Sequence, residues 1–100
     1  MQTHARKKLE IVVEAPVLRR VEAMLQDAGV TGYSVFAGLE GAGETGGWRR
    51  EGLTGADEKR LVFAVTSPEK AERALERLSE FFADYPGIVC VSDVQVIRGE

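Results

Sequence analysis

The densest supply of ligand-holding groups lies between Gly38 and Lys59. Seven of the eleven glycines fall from Gly38 to Gly55. Backbone N–H groups unscreened by side chains can converge on an anion, and such nests bind phosphate or carboxylate. Arg49 and Arg50 add fixed positive charge in the planar form suited to bidentate phosphate contact. Lys59 stands at the exit as a point charge. Trp48 sits mid-stretch, where it exposes apolar area unless something buries it. A partner protein is the expected cover, which makes Trp48 a partner contact, since tryptophan is enriched at recognition hot spots. Its own domain is the other. The plainer reading of the whole stretch is a solvated loop with surface arginines.

Acid–base and nucleophilic chemistry is thinly supplied. The one histidine, His4, lies in the polar lead-in. Glu69, Glu72, Glu76 and Glu80 have the spacing of a solvated helix face. No Gly-x-Ser-x-Gly elbow, His-Glu-x-x-His pair or Gly-x4-Gly-Lys-Ser/Thr loop is present. The one cysteine, Cys90, rules out an intrachain disulfide and a multi-cysteine zinc site. Its apolar neighbours predict a buried, inert thiol.

The elements that must position these groups follow from periodicity. Residues 1–6 read as a flexible start. Leu9, Ile11 and Val13 alternate with Glu10, Val12 and Glu14, which predicts a strand with one buried face. Pro16 suits a first helical turn, and Val17, Val21, Met24, Leu25 and Ala28 recur at helical spacing up to Gly29. Val30 to Phe36 reads as the next strand. The glycine-rich stretch, 38–58, follows as a long loop, and a loop of that length inside a compact domain points to function or disorder. Leu61 to Val65 is apolar without alternation, so both of its faces need cover. Ser67-Pro68-Glu69 is a helix start, Asp84 to Gly87 ends that helix, and Ile88 to Ile97 reads as the last strand.

The order is βαββαβ, which specifies an α+β ferredoxin-like sandwich, one domain over residues 1–100. Both helices lie on one sheet face. The other face is apolar enough to favour self-association. A net charge of −3 and a pI near 5.2 argue against nucleic-acid binding. No apolar run nears the ~20 residues of a bilayer span. Residues 1–8 lack a signal-peptide core, so a soluble cytoplasmic protein is expected. Across the RNA-binding use of this fold, exposed aromatics and basic groups line the third strand. Leu61 to Val65 offers one aromatic and no charge.

Lys7 to Val13, Asp27-Ala28-Gly29 and Val30 to Val35 together resemble the opening of PII signalling proteins. Phe81-Phe82-Ala83-Asp84-Tyr85-Pro86-Gly87-Ile88-Val89 is similar to the PII-like branch tied to bicarbonate uptake and carboxysomes. The resemblance covers about residues 7 to 98. It implies a homotrimer with sheets packed around the axis, and adenine nucleotides bound in clefts between subunits. It makes 38–58 the T-loop, which contacts partner proteins. By this resemblance Thr31, Gly32, Tyr33 and Ser34 line the adenosine. Val12, Gly38, Gly41, Gly87, Ile88 and Val89 complete the cleft, and Arg98 approaches the nucleotide from the last strand.

The departures alter those expectations. PII proteins carry Thr-Gly-x-x-Gly-Asp-Gly-Lys between the second helix and last strand, where this chain has Asp84-Tyr85-Pro86-Gly87. Phosphate grip then falls to Arg49, Arg50 and Lys59. ADP or AMP should bind at least as well as ATP, with cyclic AMP a further alternative. The loop has neither the modified tyrosine nor the glutamine of the 2-oxoglutarate response. The branch implies bicarbonate as effector and a membrane transporter or carbon-concentrating partner. A nucleotide-dependent enzyme with the loop as lid, and a plain oligomerisation module, are the competing classes.

Overall fold

A computed structural model describes residues 1–43, 46–49 and 58–97. Its main sheet comprises β1 (His4–Glu14), β2 (Tyr33–Ala37), β5 (Lys59–Thr66) and β6 (Gly87–Val96), in the order β2-β5-β1-β6. Each adjacent pair runs antiparallel. A separate two-stranded hairpin joins β3 (Glu40–Gly43) and β4 (Gly46–Arg49). The helices are α1 (Leu18–Asp27), entered through a 3-10 turn at Ala15–Val17, and α2 (Pro68–Phe81). This is the ferredoxin-like α+β sandwich. No helix among the described residues is long and apolar enough to cross a membrane.

Alternation builds the core. Leu9, Ile11 and Val13 of β1 and Val62 and Ala64 of β5 are buried beneath Val21 and Leu25 of α1 and Ala71, Ala74, Leu78 and Phe81 of α2. The α2 positions recur at three- and four-residue intervals, which keeps them on one face. Ser67 caps α2 by accepting the Lys70 N–H at 3.3 Å, with Pro68 at its first turn and Glu69 near its positive end.

Four expectations change. The start is strand from His4 onward, because His4, Ala5 and Arg6 pair with Val96, Gln95 and Val94. Val30 and the two residues after it precede β2. The Val30 N–H bonds to the Leu25 carbonyl (2.8 Å) and the Gly29 N–H to that of Gln26 (3.0 Å), with Gly29 at φ 91°. That is a Schellman closure, in which an apolar Val30 packs back on Leu25. The stretch 38–58 is not featureless, since its described residues include the β3–β4 hairpin. Cys90 is exposed, because it lies on the sheet face opposite the helices.

Register explains the unalternating Leu61 to Val65. Val62 and Ala64 face the helices, while Leu61, Phe63 and Val65 face outward. Phe36, Leu61, Val12 and Ile88 form one apolar row across all four strands on that outer face. Phe36 is 52% and Ile88 60% exposed, so the protomer leaves this row open.

Candidate functional site

The sheet brings some predicted residues together and holds others apart. Val12 of β1 stands opposite Ile88 of β6, and Gly87 opposite Val13. Val89 pairs with Ile11 and is half-buried against the core. Gly87 is required by close approach, because a Cβ there would overlap the Phe82 ring and stand 2.8 Å from the Val12 carbonyl oxygen. Thr31 and Gly32 are exposed ahead of β2, and Ser34 lies on the outer face opposite Phe63. Ser34 lies on β2 with Thr31 and Gly32 leading into it, and Gly87 to Val89 lie on β6 with Val12 beside them on β1, so the two groups sit towards opposite edges of the sheet.

Tyr33 is turned to the helix layer. Its hydroxyl donates to Glu22 (3.0 Å) and accepts from the Gln26 amide (3.0 Å), both on α1. Burial, reinforced by the Glu22 carboxylate, raises the phenol's pKa. A hydrogen bond from Arg19, aided by Tyr33, holds the Glu22 carboxyl below its ordinary value. Tyr33 therefore anchors the Thr31-Gly32 segment from behind, a role its spacing in the strand could not disclose.

A second group forms at the hairpin base. The Gly38 N–H bonds to the Lys59 carbonyl at 2.8 Å, and the Ala15 N–H to that of Glu58 at 2.9 Å. Trp48 stands opposite Gly41 in the hairpin and is half-buried. Its ring covers both glycines. A Cβ on Gly41 would stand 2.7 Å from Cζ2, and one on Gly38 2.8 Å from Cη2. So the indole packs on its own domain, the second of the two covers. The Lys59 ammonium lies 3.0 Å from the Glu14 carboxylate and 5.9 Å from the Trp48 ring centroid. Its charge is engaged by a residue that the sequence did not single out. Of Arg49 only the backbone, opposite Glu40, is described, and Arg50 and Arg98 lie outside the described residues.

The short turn after α2 is held by aromatic stacking. Phe81 and Tyr85 rings lie 4.5 Å apart at 12°. The Arg20 guanidinium sits over both, and its Nη1 donates to the Tyr85 hydroxyl at 2.6 Å. A clasp on Tyr85 fixes the approach to Gly87 where a glycine-lysine loop would otherwise run. Two surface cavities, of about 520 and 340 Å³, lie against α2 and include none of the predicted site residues.

Residues 6–100 match the family described as Nitrogen regulatory protein P-II. No curated protein matches the chain. Among solved structures it is similar to CPII, a nitrogen regulatory PII-like protein from Thiomonas intermedia K12, bound to ADP, AMP and bicarbonate. That similarity has a TM-score of 0.87 at 31% identity over 97% of this chain and 92% of that one. CPII bound to ADP and bicarbonate gives 0.83 at 33% identity, covering 97% and 93%. A PII-like signalling protein from Thermus thermophilus gives 0.83 at 27%, covering 99% and 96%.

Proposed function

The chain belongs to the nitrogen regulatory protein P-II family, and on that premise we propose a non-enzymatic cytoplasmic regulator that binds ADP or AMP, with bicarbonate as effector. The nucleotide occupies clefts between the subunits of a homotrimer. Thr31, Gly32 and Ser34 of one subunit form one wall, and Val12, Gly87 and Ile88 of the next form the other. The observation that carries this reading is the placement of Ser34 on β2 and of Gly87 and Ile88 on β6, opposite sheet edges that a single protomer cannot bring together. The open apolar row of Phe36, Leu61, Val12 and Ile88 supports it, since such a patch favours a partner surface. Solved CPII bound to ADP, AMP and bicarbonate supports the ligand pair.

Lys59, Arg49 and Arg50 supply the anion-binding charge around phosphate and bicarbonate. Arg98 approaches the same nucleotide. The β3–β4 hairpin and the stretch after it meet the target, a membrane transporter or another carbon-concentrating partner. Ordering a backbone costs roughly 1–2 kcal/mol per residue, so two anions that order the same loop bind more tightly together than apart. Calorimetry of ADP with and without bicarbonate tests this. Tighter ADP binding in bicarbonate supports effector sensing, and equal affinities remove it. An absence of any ADP or AMP binding removes the nucleotide site as well.

A further inference from the structure

We propose that the groove between α2 and β6 takes an extended basic peptide, which adds to the free edge of β6 as a fifth strand of the main sheet. The groove is separate from the nucleotide cleft. It lies beside Val91 on the helix side of the sheet, whereas Gly87 and Ile88 stand at the start of β6. β6 ends the order β2-β5-β1-β6, so one side of its ten residues is unpaired among the described residues. A strand edge of that kind is a template for another chain. A neighbouring subunit that laid β2 against it would bring five residues, half the length of β6.

The helices leave that edge uncovered. Leu9 and Val91 stand opposite each other on the helix side, yet Leu9 is fully buried and Val91 is 47% exposed. So α2 covers β1 and stops short of β6. The gap is the cavity of about 520 Å³, with Ala71, Leu75 and Val91 as its apolar floor. It runs along α2 from Pro68 to Ser79, roughly 16 Å at the helical rise. An extended peptide spans that length in about five residues, with alternate side chains pointing into the groove. Main-chain bonds to the strand edge hold such a peptide, and the groove side chains select it.

Charge sets the selection. Lys70, Arg73 and Arg77 of α2 turn to the end of α1. The Lys70 stem stands beside Gly29, Arg73 donates to the Ala28 carbonyl at 3.3 Å, and Arg77 pairs with Asp27 at 3.4 Å. Glu72 and Glu76 flank the groove instead, and neither carboxylate has a cation partner among the described residues. Lys7, which also lines the groove, is paired with Asp93. The groove thus offers an apolar floor and two uncompensated negative charges. A peptide with one apolar residue between two arginines, all three pointing inward, complements both features. An acidic peptide meets like charge.

The probe is fluorescein-labelled Ser-Arg-Thr-Leu-Thr-Arg-Ser, titrated with the full-length protein and followed by anisotropy. It should bind, and Ser-Glu-Thr-Leu-Thr-Glu-Ser should not. Glu72→Gln together with Glu76→Gln should weaken the basic peptide roughly fivefold, as expected for two exposed ion pairs. Thermal unfolding of that double variant should be unmoved, because both side chains are exposed. Val91→Lys, which puts a like charge on the floor, should abolish binding. A copy of the peptide N-methylated along its backbone should not bind, and the natural peptide should slow hydrogen exchange in residues 91–96. Equal binding of the acidic and basic peptides, or a double variant that binds as before, overturns the proposal. Binding that leaves exchange in β6 unchanged overturns the added strand, and no anisotropy change at about 1 mM protein overturns the site. If a second copy of the chain fills the edge instead, sedimentation finds self-association that Val91→Lys abolishes while the peptide stays out, and the peptide site is again overturned.

Discussion

Tyr33 joins the edge strand to α1 through two hydrogen bonds, donated to Glu22 and accepted from Gln26. Its pKa is raised above the ordinary value near 10, first by burial and then by the Glu22 carboxylate. A raised folded pKa means that the contribution is fully present below the ordinary value and is lost as pH rises through the folded one. Urea unfolding should therefore lose stability above about pH 10 in the natural protein. Tyr33→Phe should lack that part of the alkaline loss. At neutral pH it should be weaker by about 0.5–1.5 kcal/mol for the lost hydrogen bonding. Glu22 behaves with the opposite sign. Arg19 holds its folded pKa below the ordinary 4.5, so its contribution is present above that value and lost as pH falls through the lowered one. Glu22→Gln should flatten the acid limb of the same unfolding measurement. A steep limb that survives unchanged would show that other carboxylates set it.

Gly87 decides how α2 hands the chain to β6. A side chain there meets the Phe82 ring and the Val12 carbonyl, and the carbonyl is fixed in the sheet. Gly87→Ala should cost about 1–3 kcal/mol, the usual range for overpacking, and thermal unfolding measures it. Ser67→Ala, which removes the α2 cap, should cost about 1 kcal/mol by the same measurement. These two elements were legible in the sequence because caps, proline and helical spacing coincide at one place. So was β1, whose alternation of Leu9, Ile11 and Val13 is unbroken. The hairpin was not legible. Its strands contain Gly41, Gly43, Gly46 and Gly47, and glycine carries no alternation to read. Its pairing is supported by one indole laid over glycines, a contact that only three dimensions reveal. The start of β2 was misplaced for a related reason. Val30 is apolar and β-branched like a strand residue, yet its place is set by the Schellman closure onto Leu25. The proposed site residues of β2 and β6 rest on resemblance alone, and the partners of Lys59 and Tyr33, Glu14 and Glu22, were invisible because an ion pair or a hydrogen bond between separate elements leaves no local spacing.

At the scale of the whole molecule, the order β2-β5-β1-β6 puts the two halves of the proposed cleft on opposite edges. In a closed cyclic assembly each subunit gives one edge to the neighbour on each side. Phe63 stands in the middle of the outer face, opposite Ser34 and Glu10, and is 36% exposed in the protomer. Phe63→Glu buries a charge in any sheet-to-sheet assembly, and sedimentation should then find monomers that no longer bind ADP. Shared sites also permit complementation. A variant crippled at Ser34, with an arginine in its place, spoils the β2 wall alone. Gly87→Ala spoils the β6 wall alone. Neither should bind ADP as a homotrimer. Unfolded together and refolded as a mixture, they should give, on the proposed trimer, assemblies in which one junction pairs the intact β2 edge of the second variant with the intact β6 edge of the first. Calorimetry should recover binding at that junction, with the natural affinity and a reduced stoichiometry. Recovery cannot occur if each cleft is built within one subunit, since every subunit in the mixture then carries a defect. A mixture confirmed as mixed trimers by mass that still binds nothing would remove the shared cleft.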